Sequence, residues 1–112
     1  MSAGNLDAWF RQALMTANQL LGAGRIADAD QLLRQLVADR PGHPAALHMA
    51  GVAAFRAGRA GEGKALVERA LATRPDMPDA LYNLGIMLVS LDYRERAKQV
   101  FARVVELPER YR

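Results

Sequence analysis

The chain predicts an all-α fold, a stack of antiparallel helix pairs, on three observations. Cut at residues 10, 44 and 78, it yields three gapless segments of 34 residues: FRQALMTANQLLGAGRIADADQLLRQLVADRPGH, PAALHMAGVAAFRAGRAGEGKALVERALATRPDM and PDALYNLGIMLVSLDYRERAKQVFARVVELPERY. A period of that length marks helix pairs that cannot bury their apolar faces alone. Small and large side chains hold fixed columns in the alignment. Between them apolar residues recur at helical spacing, and no segment sustains strand alternation.

Each element follows from those columns. The first helix is expected near residues 5–22, with residues 1–9 extending it ahead of the repeat and Trp9 covering the open end of the first pair. Its Ala17 shares a small-residue column with Gly51 and Gly85, where two helices approach closely. Gly24, Gly58 and Asp92 share the column where the chain turns within each pair. The second helix is expected near 26–38, with Ala29 in a second small column (Gly63, Ala97) and Leu33 in a large apolar one (Val67, Phe101). Pro41 and Pro75 share a column read as closing one helix and opening the next. The third and fourth helices are expected near 44–57 and 60–73, the fifth and sixth near 78–90 and 93–106; Leu66, Ala70 and Leu71, then Leu81, Leu84 and Leu88, carry the helical spacing. The repeats are therefore 10–43, 44–77 and 78–112.

The stretch GRAGEGKA, Gly58 to Ala65, imitates the phosphate-binding pattern G-x-x-x-x-G-K-[ST]. Such a loop needs a strand before it and a hydroxyl at its last place; here a helix precedes it and Ala65 stands at that place. Gly58 and Gly63 are already explained by the turn and small-residue columns, so the match is accidental. Alanine at the other two members of the Gly63 column leads to the expectation that Gly63→Ala stabilises the domain by about 0.5–1 kcal/mol.

The columns resemble those of the tetratricopeptide repeat family, whose signature runs W-x2-L-G-x2-Y, then A-x3-F, then P. The third repeat fits it best, with Leu81, Leu84-Gly85, Leu88, Ala97 and Phe101. The second offers Leu47, Ala50-Gly51, Ala54, Gly63, Val67 and Pro75, and the first Ala13, Thr16-Ala17, Leu20, Ala29, Leu33 and Pro41. The leading tryptophan is absent throughout. The resemblance implies a right-handed superhelix whose concave face is lined by the first helix of each repeat. That face takes Arg11, Leu14, Asn18 and Leu21; then His48, Met49, Val52, Phe55 and Arg56; then Asp79, Tyr82, Asn83, Ile86 and Val89.

It implies a non-enzymatic module that binds a peptide or a partner helix. Asn18, His48, Met49, Val52, Phe55, Tyr82, Asn83 and Ile86 are the expected contacts, the two asparagines bonding an extended backbone. The plainer reading keeps Leu21, Phe55 and Val89 as core. Family members that grip the C-terminal carboxylates of chaperones use lysine, asparagine and arginine at set places. Here Leu14, Met49 and Asp79 stand at other places of that clamp, and Asp79 repels carboxylates. Two further readings are the N-terminal repeat region of a larger bacterial enzyme, of glycosyltransferase or sulfotransferase type, and a self-assembly module. The last rests on Val100, Val104, Val105 and Leu107 of the sixth helix, a wider apolar set than packing on one neighbour needs, expected to be covered either by a second copy in a homodimer or by the next helix of a longer protein.

Composition bounds the rest. The 112 residues fit one domain, 51% hydrophobic and 24% charged, with net charge +3. The arginines are scattered singly and read as solvated helix surface, so neither nucleic acid nor a membrane is an expected partner. No cysteine is present, excluding disulfides and thiolate metal sites. The start lacks a basic and then apolar leader, and no run approaches the length of a membrane span, so a cytoplasmic setting is expected. His43, in a turn and expected to be exposed, and His48 have no companion at ligand spacing; Asp28 and Asp30 point to different faces; and no Ser or Thr has a His–carboxylate partner. No catalytic residue, metal or cofactor is expected.

Overall fold

A computed structural model describes residues 2–108, and it forms six helices: α1 Ala3–Gly22, α2 Ile26–Asp39, α3 Pro44–Arg56, α4 Ala60–Thr73, α5 Pro78–Ser90 and α6 Arg94–Glu106. Residues 109–112, assigned above to the third repeat, lie outside the described residues.

Every turn within a pair closes in one way. Gly24, Gly58 and Asp92 take positive φ, 76°, 93° and 66°. The next residue donates its backbone N–H five residues back: Arg25 to Leu20 O, Arg59 to Ala54 O and Tyr93 to Leu88 O, at 2.8–2.9 Å. That is a Schellman cap, which satisfies carbonyls at the helix end. Asp92 does glycine's work in the third repeat; aspartate tolerates this conformation better than most residues.

Between pairs, Pro44 and Pro78 open α3 and α5 at the first turn, where a missing N–H is harmless. Pro41 and Pro75 lie in the links, and so do not open helices. Their carbonyls accept from arginines one repeat on: Arg69 Nη2 to Pro41 O at 3.1 Å, and Arg103 Nη2 to Pro75 O at 3.0 Å. Ion pairs repeat in the same register with their polarity reversed, Arg34–Glu62 at 3.6 Å and Glu68–Arg96 at 2.9 Å. Arg34, Arg59, Arg69, Arg96 and Arg103 thus tie successive repeats together at the surface, while Arg25 and Arg94 pair within their own repeats.

The core has two clusters. Phe10, Ala17, Leu33, Leu36, Ala46 and Ala53 join α1, α2 and α3, while Val67, Leu81, Met87, Leu88 and Val100 join α4, α5 and α6. Val52 packs against both. The two meet through the crossing of α3 and α4, and that crossing corrects the expectation for Gly63. A Cβ built on Gly63 would lie 2.6 Å from the Gly51 carbonyl oxygen and 3.0 Å from Phe55 Cβ. One built on Gly51 would lie 2.8 Å from the Gly63 carbonyl oxygen. Here two glycines face each other and backbone touches backbone. At the corresponding place of α5, the atoms nearest a Cβ on Gly85 would be those of the Phe101 ring.

Candidate functional site

The first helices α1, α3 and α5 present a groove of about 470 Å³ lined by Asn18, Leu21, Gly22, His48, Met49, Val52, Arg56, Asp79, Tyr82 and Asn83. Six of the eight expected contacts fall on it. Phe55 and Ile86 do not: Phe55 is half-buried against the second core cluster, and Ile86 lies further along α5. Leu21 is buried beneath the groove, as the plainer reading had it, but Val89 is 52% exposed and is not core.

Polar chemistry is concentrated in the middle. Asn83 Nδ2 lies 2.9 Å from His48 Nε2, a bond from α5 to α3 in which the amide donates to the unprotonated ring nitrogen. Asn83 is therefore tied to His48, and only its remaining amide capacity is open to a ligand backbone. Burial holds the His48 pKa below its ordinary value, and Asp79 opposes that shift without reversing it. The ring is thus neutral at pH 7. At one end Arg56 donates from Nη1 to Leu21 O at 2.9 Å, which fixes its guanidinium across the α1–α3 seam. At the other end stands the exposed Asp79. Around them Met49, Val52 and Tyr82 supply apolar surface, and Tyr82 is supported from below by Phe101, ring centroids 5.9 Å apart.

Other residues singled out in the sequence have structural work. His43 is half-buried; its Nδ1 accepts from Ala46 N–H at 3.3 Å, capping α3, and its ring packs on Phe10 at 4.8 Å. Burial, with Arg40 and Arg74 nearby, lowers its pKa. Histidine is an uncommon cap, and the following proline is the signal that could have located it. Lys64 pairs with Glu68 at 2.9 Å and sits 6.0 Å from the Tyr93 ring centroid, across to the third repeat. Trp9 borders a shallow hollow with Gln12, Ala13, Thr16 and Leu32 on the outer side of the first pair. Val100 is buried in the chain's own core, and Val104 and Leu107 pack against it, so those three are not a free face. Of that expected set only Val105 points fully outward, 67% exposed. Among the described residues, no helix is long and apolar enough to cross a membrane.

The chain belongs to the tetratricopeptide repeat family. A family model described as tetratricopeptide repeat matches residues 20–70, and a second of the same description matches residues 48–109. Comparison with curated proteins finds no match. Among solved structures the fold is similar to MamA (residue 41 to the end) from Desulfovibrio magneticus RS-1, with TM-score 0.80 and 24% identity over 88% of this chain and 55% of that one. It is similar to the second TPR of Spaghetti (RPAP3) bound to the HSP90 peptide SRMEEVD, with TM-score 0.81 and 16% identity over 88% of this chain and 92% of that one. The Sgt2 TPR domain from Aspergillus fumigatus gives 0.80 and 18%, over 87% and 64%. The chain thus spans about half the length of the MamA structure it resembles, and the likeness concerns the fold alone.

Proposed function

We propose that the chain is a protein-interaction module that binds an extended, partly apolar peptide in the groove across α1, α3 and α5. The observation that carries this reading is the groove itself: Met49, Val52 and Tyr82 from successive first helices form apolar pockets around the His48–Asn83 pair. Exposed aromatic and methionine side chains beside polar groups suit peptide anchors. The similar fold of the Spaghetti domain holding SRMEEVD supports binding on such a scaffold. The ligand here differs in charge. His48 is neutral, Arg56 is held by a carbonyl and Asp79 is acidic, so the groove favours a peptide without clustered carboxylates and disfavours an acidic tail such as EEVD. Within this reading the repeats act by binding and carry no catalytic group of their own.

Selection from a randomised peptide library tests it. Selected peptides should be apolar or basic, SRMEEVD should not compete, and Met49→Ala combined with Tyr82→Ala should weaken binding at least about tenfold with the fold kept. Full affinity in the folded double variant would move the site elsewhere.

A further inference from the structure

The last edge of the stack shows what each preceding edge has covered. Leu21 and Phe55 are shielded when the next repeat arrives, yet Val89 in the same column is 52% exposed. Leu71 is buried, and its counterpart Val105 is 67% exposed. Cross-repeat partners stop here too. Asp30 reaches Arg59 and Lys64 faces Tyr93, but among the described residues the next member of that column, Lys98, pairs within its own helix, with Glu95. Arg34 reaches Glu62 and Glu68 reaches Arg96, but the next member is the small residue Ala102. Lys98, Ala102 and Val105 therefore mark the side of α6 that a further helix would contact.

We propose that a second copy of this chain covers this edge, α6 against α6, about a two-fold axis near Ala102. Two features select that occupant. The opposite edge is unsuited to stack on it: α1 carries Gln12, Thr16 and Gln19 in the columns that α3 fills with buried Ala46, Ala50 and Ala53. Head-to-tail stacking would bury those polar side chains and would also set Lys98 against Arg25, which holds the Arg59 and Tyr93 column. Pairing edge to edge avoids both. In an antiparallel α6 pair the small side chain of Ala102 allows close approach, and Lys98 of one copy stands opposite Glu106 of the other, four residues either side of the axis. Val105 leaves water in the same step.

Sedimentation equilibrium over a range of concentrations tests this. A monomer–dimer equilibrium is expected. Val105→Glu should raise the dissociation constant about tenfold or more, and Lys98→Glu or Glu106→Lys alone should also weaken the dimer, since each places like charges together. The combined Lys98→Glu, Glu106→Lys variant should restore it. All three sites are exposed or at the helix end, and circular dichroism checks that each variant keeps its helices. Monomer mass at every concentration overturns the proposal. So does a dimer indifferent to Val105→Glu, or a charge reversal without restoration. Peptide binding in the groove is read separately and does not depend on the outcome.

Discussion

The two edges of the stack occupy the same columns of one repeat yet differ in chemistry. On α1, Gln12, Thr16 and Gln19 stand where α5 buries Ala80, Leu84 and Met87, and Trp9 adds partial cover over Leu32. Asp7 on the forward extension of α1 bonds Arg40 at 2.5 Å, and Arg40 lies 4.3 Å over the Phe10 ring. The first repeat is thus partly covered by its own extension, while Leu6, Trp9 and Met15 of α1 stay exposed. On α5 and α6, Tyr82, Ile86, Val89 and Val105 are exposed, with no such cover among the described residues. A repeat array needs a polar cap wherever no neighbour follows. The difference teaches that the end of the α-solenoid has to be judged column by column, because a residue's type does not say whether its neighbour is present.

Phe10→Ala probes the partly covered end and should have the largest effect. Phe10 is fully buried beneath Arg40 and His43, so truncation costs about 3–5 kcal/mol. Phe101→Ala at the open end should cost clearly less, since its ring is half-buried. Chemical denaturation of both in dilute solution checks the contrast; equal losses would mean that the last repeat is as closed as the first.

Gly63→Ala should come next, lowering stability by about 1–3 kcal/mol through overpacking against the Gly51 carbonyl. Gly85→Ala should cost less, because there the obstacle is a ring at the open edge. A melting temperature for Gly63→Ala at or above the parent's would refute the backbone contact.

Mild acid should act more weakly, through His43 beside the first repeat and His48 between α3 and α5. The pKa values of His43 and His48 are both lowered in the folded chain, so the unfolded chain binds protons first as pH falls below the ordinary histidine range. Stability should therefore fall from pH 7 towards pH 5, as protonation removes the His43 cap on α3 and the Asn83 bond to His48. At Glu68 burial works to raise the pKa, but hydrogen bonds from Lys64 and Arg96 lower it on balance, so its contribution is lost only at more acid pH. A His43→Asn, His48→Gln variant that keeps the full loss between pH 7 and pH 5 would contradict this assignment.

Much of this was legible in the sequence. The period located all six helices, with each end within two residues, and the column read as a turn holds the three residues that take positive φ, Asp92 among them. What escaped depended on pairs of helices. Gly63 looked replaceable because Ala29 and Ala97 share its column; only the meeting with Gly51 makes it necessary. Val100 and Val105 are the same residue type on one helix, and the direction of α5 decides which is buried. Groove positions were read from the family's face, while the His48–Asn83 bond required two helices in register.

The central claim is that the face of α1, α3 and α5 holds the ligand. Backbone amide shifts recorded while a library-selected peptide is titrated into labelled protein test it most directly. The predicted result is a connected set of changes at Asn18, His48, Met49, Val52, Tyr82 and Asn83, with α2 and α4 silent. Changes concentrated on the outer faces of α2 and α4, with those six residues unmoved, would contradict it.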